Sequence, residues 1–210
     1  MFGLYSPAGR LPVTFVRSLD QVPPFADYRM EGRTYRFMTA APQYRFGYGL
    51  SYTRFAYSGL RLDQDRIGPD ATATVQVVVT NVGPRAGDEV AQLYVSDLAA
   101  SVPVPRLHLE GFQRVRLEPG EARTLRWTLS PRQLAVWDDE GQPRVERGVG
   151  SHRKQGIEQA HQDELFLHIN SVTGIQRLRL DRDADGLAAG SGGSTRGAVT
   201  TATAFMISFQ

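Results

Sequence analysis

The sequence predicts a mainly β protein built on an antiparallel β-sandwich at residues 59–148, preceded by an irregular aromatic-rich stretch and followed by a poorly ordered tail. Three observations carry this. Segments between Ala71 and Ser130 alternate apolar with polar residues at a period of two, which sends successive side chains to opposite faces of a strand. Turn sequences separate them: Asn81-Val82-Gly83-Pro84, Glu118-Pro119-Gly120-Glu121 and Asp138-Asp139-Glu140-Gly141. Short strands at such spacing are the pattern of a sandwich. Residues 1–58, by contrast, hold 13 of the 20 aromatics but no sustained period.

In chain order, Pro7, Pro12, Pro23, Pro24 and Pro42 interrupt any long helix in the first zone. One short strand is expected at Leu11–Val16, then an extended, irregular run too poor in periodic structure to form its own core. Residues 1–40 are taken as one unit and 41–58 as a connector. Within it, Pro42–Phe55 (PQYRFGYGLSYTRF) places Gly47, Gly49 and Ser51 among Tyr44, Phe46, Tyr48, Tyr52 and Phe55. Glycine permits close backbone approach, and aromatic anchors dominate interface energetics. These five aromatics are therefore expected to pack one domain against another, in preference to stacking on a sugar.

The sandwich strands follow. Ala71–Asn81 is valine-rich and alternating. Glu89–Asp97 offers Val90, Leu93 and Val95 to a core. Leu107–Leu117 has Leu107 and Leu109 on one face and a break at Gly111, with Phe112 and Val115 beyond it. Ala122–Ser130 puts Leu125, Trp127 and Leu129 on one face, and Leu134–Trp137 and Arg144–Val145 are short closing strands. Trp127 and Trp137 are both expected in the core. Residues 149–210 change character: polar at Ser151–Gln162, strand-like at 164–171 and at Gln176–Leu180, then low in complexity from Ala188.

Composition narrows the function. With 41% hydrophobic residues a real core is affordable, and no stretch approaches the ~18 apolar residues of a membrane span. MFGLYSPAGR has no basic n-region leading into an apolar segment, so no secretory signal is expected there. There are no cysteines, hence no disulfides or thiolate metal sites. The arginines are scattered through the strands, which argues against a nucleic-acid groove.

Two stretches carry a family resemblance. Gly9–Phe37 (GRLPVTFVRSLDQVPPFADYRMEGRTYRF) followed by Phe46–Phe55 (FGYGLSYTRF) resembles the C-terminal part of glycoside hydrolase family 3, the β-glucosidase and β-xylosidase group. Gly87–Glu146, with DEVAQLYV and LEGFQRVRLEPGE, is similar to the fibronectin type III-like (immunoglobulin-like) domain that closes many of those enzymes. The resemblance spans roughly residues 3–148 in the family's order. It implies that residues 1–40 are a remnant of the family's α/β-sandwich catalytic domain and that 59–148 are the terminal domain. It also implies that the barrel with the nucleophilic aspartate and the stretch with the acid/base glutamate are missing from this chain, which would be inactive alone. The partners so implied are those missing catalytic domains, in cis or in trans, and an oligosaccharide or aryl glycoside for the complete enzyme, with a periplasmic or secreted location open to it. After Glu146 the sequence departs from the family at Arg147–His152. Either ELFLHINS (Glu164–Ser171) replaces the family's last strand after an insertion, or residues 147–210 come from a shifted reading frame; the low-complexity drift after Gly186 leans to the second.

Read residue by residue, the chain offers little chemistry of its own. Glycoside hydrolysis needs two carboxylates across the scissile bond. Asp88/Glu89 read as an exposed pair at a strand start, and Asp138/Asp139/Glu140 as a turn that caps its own backbone. Asp181, Asp183 and Asp185 with Gly186 open like a calcium loop, yet position 12 is Gly192 where a bidentate glutamate is needed, so a solvated acidic turn is expected. The four histidines lack metal spacing, and His108 decorates a strand. No cofactor, nucleic acid or membrane partner is expected. The competing reading is a stand-alone β-sandwich module that binds a polysaccharide or a protein.

Overall fold

The computed structural model describes residues 3–64, 66–97, 100–146, 165–169 and 176–180. Its strands are β1 (Phe55–Leu62), β2 (Arg66–Ile67), β3 (Ala73–Asn81), β4 (Gly87–Asp97), β5 (His108–Leu117), β6 (Ala122–Leu129), β7 (Val136–Trp137), β8 (Pro143–Arg144), β9 (Leu165–Ile169) and β10 (Gln176–Leu180). One sheet runs β1-β3-β6, a second β2-β10-β9-β4-β5, and β7 and β8 form a separate ribbon. Pairing is antiparallel except between β10 and β2. None of the helices among the described residues is long and apolar enough to cross a membrane.

The period of two is realised most fully in β3, where Ala73, Val75, Val77 and Val79 are fully buried and the residues between them are half-buried. β6 answers from the same sheet with Leu125, Trp127 and Leu129, and β5 from the other with Val115 and Leu117. The predicted break at Gly111 is a β-bulge: Leu93 pairs Gly111 but Tyr94 pairs Leu109. Trp127 explains the glycine, because a Cβ on Gly111 would lie 2.5 Å from the indole Cδ1. Asn81, fully buried, organises its turn by side-chain bonds to the Arg85 and Leu117 carbonyls, at 2.7 and 3.0 Å, and by accepting from Thr53 Oγ1 at 2.7 Å.

Several expectations need correction. Val90 is half-buried and off the core; the inward phase of β4 is Glu89, Ala91, Leu93, Val95. Trp137 is 49% exposed, with the Arg132 guanidinium 5.3 Å over its ring, because Val136 takes the inward position of the two-residue strand. Leu11–Val16 is not a strand. Only the bridge Phe15–Tyr44 forms, and Pro12 lacks the N–H that a continuous ladder needs. Strand β1 opens at Phe55, within the stretch read as connector, and Gly59 (φ +60°) marks its bulge.

Leu165–Ile169 lies antiparallel to β4, pairing Leu93–Asp97, and Gln176–Leu180 bridges it to β2. The strands expected at 164–171 and Gln176–Leu180 therefore join the sheet.

Gly111→Ala should destabilise the chain by about 1–3 kcal/mol, because the indole has to leave its position. Thermal unfolding of the full chain checks this against the wild type.

Candidate functional site

Residues 3–54 form no sheet of their own. They contain a single 3₁₀ turn (Leu19–Gln21) and one turn of helix, α1 (Thr34–Phe37), and otherwise wrap across the sandwich. The two arms of this wrap hold each other by backbone bonds: Leu11 N–H to the Tyr48 carbonyl (2.8 Å), Gly47 N–H to the Leu11 carbonyl (2.8 Å) and Phe15 N–H to the Tyr44 carbonyl (2.9 Å). Gly47 has φ +84°, and a Cβ there would meet the Gln92 amide and come within 2.7 Å of the Tyr94 hydroxyl. A Cβ on Gly49 would run into the Gly9 carbonyl. Both glycines are thus required by close approach, the connector to β4 and its two arms to each other.

The aromatics divide between two tasks. Phe46 stacks on Tyr35 at 4.2 Å, and both meet Tyr94 of β4 edge-on at 6.4 and 6.0 Å. Thr34 has φ +54°, a left-handed conformation unusual for a β-branched residue, next to Tyr35, whose hydroxyl accepts the Leu109 N–H at 3.2 Å. Burial, and then the neighbouring Tyr35, push the Tyr94 hydroxyl up from its ordinary value. Phe55 packs against the sandwich core. Tyr44 instead joins Phe15 and Tyr48 in a cluster on the outer side, 43% exposed, and Tyr52 is 51% exposed.

The junction is closed by charge. Glu89, 3% exposed, accepts from Arg10 Nη2 at 2.5 Å through Oε2 and from the Tyr57 hydroxyl at 2.6 Å through Oε1. Burial first, then the carboxylate, push the Tyr57 hydroxyl far up, so it stays a donor. Glu89 is therefore not the exposed residue that its place at a strand start suggested. The available signal was its phase: it shares the inward parity of Ala91, Leu93 and Val95. Asp88, the preceding residue of β4, faces the other way and pairs with Arg114 at 2.5 Å and Arg116 at 3.4 Å. Adjacent strand residues on opposite faces cannot flank one glycosidic bond.

Of the remaining candidates, Asp138 caps its own hairpin, accepting the Gln142 N–H at 2.7 Å. Asp181, Asp183 and Asp185 lie outside the described residues. Among the described residues no cluster of three or more His, Asp or Glu could hold a metal ion. His108 on β5 contacts Glu110 at 2.5 Å. Burial alone would raise the Glu110 carboxyl, but the hydrogen bonds from His108 and Gln133 and the nearby positive charges outweigh it and hold the carboxyl below its ordinary value.

Comparison with known proteins bears on this arrangement. Residues 89–150 match the fibronectin type III-like domain. The chain is 37% identical over 176 residues to a periplasmic β-glucosidase of Salmonella typhimurium, covering 74% of this chain and 23% of that protein. It is 40% identical over 154 residues to a β-xylosidase of Formosa agariphila, covering 71% and 21% respectively. Among solved structures, a β-glucosidase from Erythrobacter marinus superposes with TM-score 0.66 at 34% identity, over 84% of this chain and 22% of that one. The chain thus spans about a quarter or less of the length of these relatives.

A carboxyl held low when folded stabilises the fold above the unfolded value of 4.5, and that contribution is lost as pH falls through the lower, folded value. The difference in melting temperature between wild type and Glu110→Gln should therefore shrink as the pH is lowered from 7 to 3, and a constant difference would rule the pairing out as its cause.

Proposed function

We propose that this chain belongs to the glycoside hydrolases of β-glucosidase and β-xylosidase type and is the C-terminal packing portion of such an enzyme. In this reading the complete protein hydrolyses terminal β-linked glucose or xylose with retention of configuration, using a nucleophile and an acid/base that the 210 residues do not supply. In it residues 59–148 are a stabilising sandwich, residues 1–58 complete and brace the α/β catalytic domain, and Tyr44, Phe46, Tyr48, Tyr52 and Phe55 are the packing residues between domains.

One observation carries the reading. The aromatic-rich wrap is fixed to the sandwich at Glu89 and Tyr94, yet it leaves Leu4, Leu19, Phe25 and Tyr28 between 86 and 95% exposed. A contiguous segment that presents apolar side chains in this way is a surface built to be covered. The chain's share of its relatives, 23% and 21%, supports the rest of the glycosidase as the cover. The placement of the carboxylates agrees: the adjacent Asp88 and Glu89 are each held by arginine on opposite faces of one strand.

The 210-residue chain should turn over no aryl β-glucoside or β-xyloside above a heat-killed control. Turnover by the purified chain would overturn the assignment of the catalytic residues to other segments.

A further inference from the structure

We infer that residues 9–53 form a strap held closed on the sandwich by one buried lock, Arg10–Glu89–Tyr57, and that breaking the lock opens the strap while the sandwich stays folded. Each part of the lock comes from a different element: Arg10 from the strap, Glu89 from β4 and Tyr57 from β1. Arg10 and Glu89 are 79 residues apart in sequence, and their side chains are only 16% and 3% exposed. Both carboxylate oxygens are used, one by the guanidinium and one by the phenol. The lock lies wholly within this chain, so it stands whatever covers the strap's outer side.

The physics makes the strap, and not the sandwich, the part that moves. A buried ion pair that loses one partner leaves an uncompensated charge, which is strongly unfavourable. Without Arg10 that penalty is relieved if the strap lifts and water reaches Glu89. The core residues of β3 and β6, Val75, Val77, Leu125 and Leu129, pack within the sandwich and take no part in that opening. The strap's other contacts with the sandwich are neutral or solvent-facing and compensate no buried carboxylate: the Tyr35–Phe46 stack against Tyr94, the Arg106 bonds to the Arg36 and Met38 carbonyls, and the Thr53–Asn81 bond. The Phe15–Tyr44 contact is about half solvent-exposed, and the backbone bonds near Leu11 and Gly47 join the strap's own arms, not the strap to the sandwich.

Hydrogen–deuterium exchange of the full chain reads the two parts separately. In Arg10→Met, amides at 9–17 and 43–53 should exchange about 100-fold faster while those of β3 and β6 keep their protection. Tyr57→Phe, which removes one bond to the charged carboxylate, should accelerate the same strap amides about 10-fold. The double variant Arg10→Met/Glu89→Leu replaces the pair with apolar side chains and should restore protection. Unchanged strap exchange in Arg10→Met would overturn the lock. So would equal acceleration of strap and β3/β6, or a double variant that stays open. Should Arg10→Met alone fail to fold, Tyr57→Phe and the double variant still decide the matter.

Discussion

The structure depends on a carboxylate that should not be where it is. Glu89 occupies an inward position at the start of β4, and a lone buried charge there would be untenable. Arg10 and Tyr57 make it tenable, and in doing so tie the N-terminal segment to the sandwich at a fixed point. Losing one partner of such a buried pair costs about 3–5 kcal/mol, a large share of the stability of an ordinary domain. Everything else at the junction follows from that anchor. Gly47 and Gly49 allow the backbone to run close over β4 and over Gly9, and Phe46 and Tyr35 cover Tyr94.

The consequence for function is a division of labour between two sides of one segment. The inner side of residues 3–54 is held by ion pair, stacking and backbone bonds. The outer side carries Leu4, Leu19, Phe25 and Tyr28 toward solvent. A glycosidase needs its catalytic carboxylates held to within fractions of an ångström, and a rigid flank is one way to achieve that. In the proposed reading, the sandwich with its strap is that flank.

Strands whose faces are cleanly two-sided were legible in the sequence. β3, β5 and β6 sit where the alternation of Ala73–Val79, the Gly111 break and Leu125–Trp127–Leu129 put them. Legibility failed where the code was local but the decision was not. In Glu89–Asp97 the apolar residues Val90 and Ala91 are adjacent, so alternation alone does not set the phase, and the inward parity is that of Ala91. Glu89 read as exposed because its partner lies far away in sequence. Trp137 read as core from its size, but a two-residue strand has one inward position and Val136 holds it. β1 was hidden because FAYSGLRL continues the aromatic texture of the connector and contains a glycine. Which of the rings between Tyr44 and Phe55 pack on the sandwich and which stay exposed needed the fold, because their sequence texture is the same.

The central claim is that the exposed apolar side chains of residues 3–54 form an interdomain surface, and hydroxyl-radical footprinting tests it most directly. Oxidation of Leu4, Leu19, Phe25 and Tyr28 is compared between the 210-residue chain and the same chain joined to the remainder of a β-glucosidase of this family. The account predicts strong labelling of these residues in the chain alone and their protection in the complete enzyme, with Trp137 labelled equally in both. Equal labelling of Leu4, Leu19, Phe25 and Tyr28 in the two states would contradict it.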